Sequence, residues 1–103
     1  MKVVYRPAAI DDIKSTAAYI ENELKNPQAA ERFKERILNS VSLLKDNPNM
    51  GNLLSNKYEF INIKCDYQYI VLNKQLVFYQ ISDDVIEVVR VLDGRTNYLT
   101  HLF

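Results

Sequence analysis

Two consecutive stretches carry apolar residues at spacings of three and four: Ile10, Ile13, Ala17, Ile20 and Leu24, then Ala30, Phe33, Ile37, Val41 and Leu44. Each set marks one face of an α-helix. Asn26-Pro27 lies between them, and it supplies a good N-cap followed by a good first helical residue. Helices joined by so short a link must be antiparallel neighbours. Pro7 opens the first helix, where its missing N–H costs nothing, although Arg6 is a poor N-cap. Asp11 and Asp12 fall in the opening turns, where the helix dipole favours them. Asn47-Pro48-Asn49-Met50-Gly51 ends the second helix with loop chemistry. A helical hairpin is therefore predicted over about residues 7–46, and its apolar stripe needs a second layer to cover it.

The rest of the chain supplies that layer. Lys2 to Arg6 is a short strand candidate rich in β-branched and aromatic residues. Asp66 to Leu72, Leu76 to Ile81 and Val85 to Leu92 are strands separated by the turns Asn73-Lys74 and Ser82-Asp83-Asp84. Short turns make these three an antiparallel meander. Leu53 to Lys64 is harder to read; Tyr58, Phe60, Ile61 and Ile63 suit an extended segment. After Asp93-Gly94 a short tail ends in Leu99, Leu102 and Phe103, which should pack it back onto the domain. The expected fold is α+β: a single domain over residues 1–103, with the hairpin packed on an antiparallel sheet of about four strands.

Charge and composition exclude several functions. Thirteen basic residues balance thirteen acidic ones, so nothing marks a phosphate-gripping protein by net charge. From Lys57 onward five basic residues face six acidic ones, so no basic half hides under the total. Only folded proximity can make a basic patch. The single His101 and single Cys65 argue against zinc and exclude an internal disulfide. Cys65 has no neighbour in sequence to activate it. No apolar run reaches the roughly 18–20 residues of a membrane span, and the N-terminus lacks the pattern of a signal peptide. A cytoplasmic protein without metal or other cofactor and without membrane contact is expected.

The closing stretch, Arg90-Val91-Leu92-Asp93-Gly94-Arg95 followed by Tyr98-Leu99, carries the strongest signature. Together with Val3-Val4-Tyr5-Arg6-Pro7-Ala8-Ala9, Asn26-Pro27-Gln28-Ala29-Ala30, the Leu43-to-Pro48 segment with Gly51, and Tyr67 to Gln80, it resembles the RelE/ParE superfamily. These are the toxins of bacterial type II toxin–antitoxin systems, linked to plasmid stabilization and growth inhibition. The resemblance spans nearly the whole chain, and the long hairpin looks more ParE-like than RelE-like. It implies a cognate antitoxin as partner and one of two targets. ParE-like members poison DNA gyrase; RelE-like members cleave mRNA in the ribosome. A decayed toxin that keeps only antitoxin binding is the third reading. The chain departs from the family pattern at Gln68, Gln80 and Thr96, where related chains usually carry arginine.

RNA cleavage of this kind needs a group to take the 2′-hydroxyl proton, donors for the crowded phosphate and help for the leaving oxygen. Arg95 is the first candidate for the phosphate, with Arg90 and Lys64 next. Tyr98 can stack a base or exchange a proton. His101 is the one side chain that ordinarily titrates near neutrality. Each has a structural alternative: Arg90 paired with Glu87 or Asp93, Tyr98 packed in a core, Lys64 and His101 solvated. The neutral balance and the three departures favour the gyrase reading over the nuclease.

Overall fold

The computed structural model describes residues 1–57 and 67–102. Strand β1 (Lys2–Tyr5) leads into helix α1 (Pro7–Asn22), and helix α2 (Pro27–Leu43) returns alongside it. Strand β2 (Asn52–Leu53) and a single helical turn, α3 (Leu54–Lys57), follow. The chain continues through β3 (Gln68–Leu72), β4 (Gln75–Ser82) and β5 (Val85–Asp93) to a last helical turn, α4 (Leu99–Leu102).

The hairpin forms where the apolar spacing places it. The Asn26 Oδ1 accepts from the Ala29 N–H at 3.1 Å, and Pro27 follows as the first helical residue. Arg6 gives α1 no side-chain cap. Ala9, Ala17, Ala30, Phe33, Ile37, Val41 and Leu44 are buried on the sheet side. The stripe of α1 is narrower than its spacing suggests, because Ile10 and Leu24 are left 40% and 57% exposed. No acidic residue stands in the first turn of α1. Asp12 is used elsewhere, as described below.

The strands form one sheet in the order β1-β5-β4-β3-β2. It has five strands rather than about four, because Asn52 and Leu53 pair with Tyr69 and Gln68. It is also mixed: β1 runs parallel to β5, while the other neighbours are antiparallel. Three antiparallel steps from β2 to β5, set beneath a two-helix excursion, bring β5 back beside β1 in the same direction. Leu54–Lys57 is helical where an extended segment was expected. Leu54 is fully buried there, and its N–H donates to the Tyr67 carbonyl at 2.8 Å. The remainder of that expected segment, with Lys64, Cys65 and Phe103, lies outside the described residues.

The sheet separates two cores. One packs Val77, Tyr79, Ile86, Val88 and Val91 against the hairpin. The other gathers Leu54, Tyr67, Tyr69, Leu76, Phe78, Val89, Leu92 and Tyr98, with Leu99 and Leu102 laid against them. The tail therefore packs back through α4, as its apolar residues predict. The β4–β5 register shifts at one point: Phe78 stands opposite Arg90, yet Tyr79 stands opposite Val88. Val89 is the extra residue of a β-bulge, a device that bends a strand and re-aims the side chains beside it.

Candidate functional site

Arg90 follows that bulge. Strand β1 covers only the first part of β5, from Val85 to Val88. It leaves the sheet at Arg6, whose N–H donates to the Val88 carbonyl at 2.9 Å. Beyond that point, among the described residues, the outer edge of β5 has no strand beside it. Asp12 of α1 fills the place. Its carboxylate accepts from the Val91 N–H at 3.0 Å and from the Arg90 guanidinium through Nε at 2.7 Å and a terminal nitrogen at 2.8 Å. The Arg90 and Asp12 side chains are only 23% and 13% exposed. The hydrogen bonds to Asp12 raise the pKa of Arg90 above its ordinary value. Arg90 also donates to the His101 carbonyl at 3.4 Å, tying α4 to the same junction. Glu87 and Asp93, the partners suggested by nearness in sequence, are otherwise engaged: Glu87 with Arg6, Asp93 with Arg95.

Arg95 lies one residue past Gly94 in the turn that ends β5. Its side chain is 68% exposed but folded onto Asp93, with Nε at 3.0 Å from one carboxylate oxygen and a terminal nitrogen at 2.7 Å from the other. The Arg95 N–H donates to Asp93 as well, at 2.8 Å. These bonds hold the Asp93 carboxyl down at about 2, against an ordinary 3.8. Tyr98 is a packed aromatic, 6% exposed, with its ring centroid 5.4 Å from that of Phe78 and tilted by 38°. His101 is exposed on α4.

Among the described candidates Arg90 meets the His101 carbonyl, while Arg95 stands apart on Asp93. Arg90 clamps a helix to a sheet edge, Tyr98 sits in the second core, and Arg95 occupies a surface turn bound to its own neighbour. The two glutamines at usually basic positions have also found partners. Gln80 accepts from Arg6 at 3.2 Å, and Gln68 reaches Asn49 at 3.5 Å. Reading by sequence nearness missed Asp12, which lies 78 positions from Arg90. Among the described residues no cluster of three or more His, Cys, Asp or Glu side chains is arranged to hold a metal, and no helix is long and apolar enough to cross a membrane.

The sequence model of the ParE toxin of the type II toxin–antitoxin system parDE matches residues 3–98. Among solved structures, a chain of the chromosomal ParDE toxin–antitoxin system from P. aeruginosa superposes with a TM-score of 0.72. The match covers 90% of this chain and 95% of that one at 15% sequence identity, a likeness of fold. No curated protein matches in sequence.

Proposed function

Because the chain belongs to the ParE toxin family of type II toxin–antitoxin systems, we propose that it arrests growth by binding DNA gyrase, and that a cognate antitoxin restrains it. The arrangement of Arg90 and Arg95, the described candidate cations, supports this choice of target. A nuclease must present donors to a pentacovalent phosphate. Here Arg90 spends its fork on Asp12, and Arg95 spends its fork on Asp93. Tyr98 turns its ring into the core against Phe78. Freeing Arg90 means breaking a largely buried bidentate carboxylate pair; the Arg95 pair is more exposed and held more weakly. A poison that works by binding needs surface rather than a catalytic constellation, and the exposed flank of the hairpin supplies it. The same reading makes the chain a single toxin domain that works in the cytoplasm.

Purified protein added to a gyrase supercoiling assay, beside a translation reaction with labelled mRNA, tests the proposal. Supercoiling should be inhibited and the mRNA left intact. Cleaved mRNA with unaffected gyrase would overturn it. In that case Arg95→Ala should lower cutting by about 10²–10³, the usual loss for a missing phosphate-stabilising donor. Normal growth at high levels of soluble protein would identify a decayed toxin.

A further inference from the structure

The neutral total conceals a local excess of positive charge. At the tip of the hairpin a hollow of about 430 Å³ opens between the end of α1, the start of α2 and the β3–β4 turn. Arg32 and Arg36 stand on its α2 side, four positions apart and so on one helical face. Lys74 stands across from them, in the turn that the positive φ of Asn73 (57°) permits. Among the described residues no carboxylate lines the hollow. Glu31 and Glu35 belong to the same helix; Glu31 is paired with Lys34, and Glu35 stands about 100° round the helix from Arg36 and about 60° from Arg32 without lining the hollow. Among the described residues Arg32, Arg36 and Lys74 make no ion pair or side-chain hydrogen bond. Lys74 does feel Asp93, which Arg95 already neutralises.

Ile20, Leu24, Ala29 and Phe33 provide an apolar floor, and Asn73 and Gln75 complete the rim with amides. Leu24 is 57% exposed, so the fold leaves its side chain without cover. We propose that this hollow docks the toxin's protein target, taking an acidic segment whose carboxylates meet Arg32, Arg36 and Lys74 while one bulky apolar side chain covers Leu24. The proposal rests on the reading that the toxin acts by binding a protein. Charge complementarity selects the acid, and the uncovered floor selects the apolar anchor. Nucleic acid fits less well. Single strands bind through exposed aromatic platforms, and among the described residues the one ring lining the hollow, Phe33, is 6% exposed. A chain of zero net charge also lacks the field that gathers a polyanion.

The test compares the wild type with the double variant Arg32→Glu/Arg36→Glu and a control, Lys14→Glu/Lys45→Glu, which makes the same charge change at exposed positions elsewhere. Growth arrest on induction, soluble yield, thermal midpoint, affinity for the antitoxin and gyrase inhibition are measured for each. Growth arrest by the Arg32/Arg36 variant should weaken by about tenfold or more, as expected for reversing charges at a docking rim. Folding and antitoxin affinity should hold, and the control should behave as wild type. If the wild type spares gyrase but the variant still loses its toxicity, the gyrase reading falls and the docking site stands. A variant as toxic as wild type overturns the docking site and leaves the gyrase reading intact. Equal loss in the control, loss of antitoxin affinity in the variant, or a wild type without toxicity also overturns it. So does binding of a thymidine oligonucleotide that disappears with the two arginines.

Discussion

Removing the Asp12 carboxylate separates a structural Arg90 from a catalytic one. Asp12→Ala deletes three charge-assisted hydrogen bonds at once, two of them from a guanidinium. It strands a guanidinium that is 23% exposed and leaves the Val91 N–H without its acceptor. Breaking a fully buried pair costs about 3–5 kcal/mol, whereas a surface pair is worth about 0–1. This pair lies nearer the buried limit, yet water reaches part of the arginine. A loss of about 2–3 kcal/mol is expected, most of it from the stranded charge and the orphaned N–H. For a domain of this size that lowers the thermal midpoint by roughly 8–15 °C. Arg90→Met, which removes the charge and keeps an apolar stem, should cost less, about 1–2 kcal/mol. The double variant should cost clearly less than the sum, with a coupling of about 1–2 kcal/mol. Urea unfolding of the four proteins gives the cycle directly. An Asp12→Ala change within about 0.5 kcal/mol of wild type, together with an Arg90→Met protein that is stable but not toxic, would refute the clamp and return Arg90 to the active surface.

Three further outcomes follow from other junctions. Tyr79 is fully buried, and its hydroxyl donates to the Pro48 carbonyl at 3.0 Å and accepts from the Gly51 N–H at 3.1 Å. Tyr79→Phe should therefore destabilise by about 1–3 kcal/mol in chemical denaturation. Burial raises the pKa of that hydroxyl above 10.0, so its contribution is complete below pH 10 and is lost as pH rises through the raised value. The phenylalanine variant should show a smaller alkaline loss of stability. Gly51→Ala would press a methyl group into the Tyr79 hydroxyl and to 2.8 Å from the Tyr69 carbonyl. A cost of about 1–3 kcal/mol is expected, read as a lowered thermal midpoint. Arg95→Ala should let the Asp93 carboxyl rise from about 2 towards 3.8, followed by NMR titration of its side-chain carbon. The folded value is the depressed one, so the stabilisation it reports is present above pH 3.8 and fades as pH falls towards 2 in the wild type alone.

The hairpin and the meander were legible because both rest on local periodicity. The three-and-four spacing survives in the buried set Ala17, Ala30, Phe33, Ile37 and Val41, and the Asn26 cap needs only the residues beside it. What the sequence could not display were pairings between distant segments. The parallel β1–β5 pairing joins residues more than eighty positions apart. The cluster of Arg32, Arg36 and Lys74 exists only once the β3–β4 turn meets the tip of the hairpin. Counting charges along the chain sums over the whole surface, so it cannot register three cations gathered at one end.

Arg90 shows how far the missing step reaches. On a regular strand, residues three apart are about 10 Å from one another and point to opposite faces, which sets Asp93 away from Arg90; the bulge at Val89 brings Glu87 onto the face of Arg90, but Arg6 takes it there. Suppose instead that β1 lies parallel to β5. It is four residues long beside a strand of nine, so the outer edge of β5 must outrun it. A buried strand edge cannot leave its N–H groups without acceptors. The chain nearest that gap is the start of the helix into which β1 runs. Asp11 and Asp12 are the carboxylates there, and on a helix one of two adjacent residues necessarily faces closer to the sheet. The parallel pairing therefore demands an acceptor from the opening turns of α1, and the same carboxylate that closes the edge fixes Arg90. One strand orientation decides whether the arginine in the closing signature is a catalytic candidate or the clamp between helix and sheet.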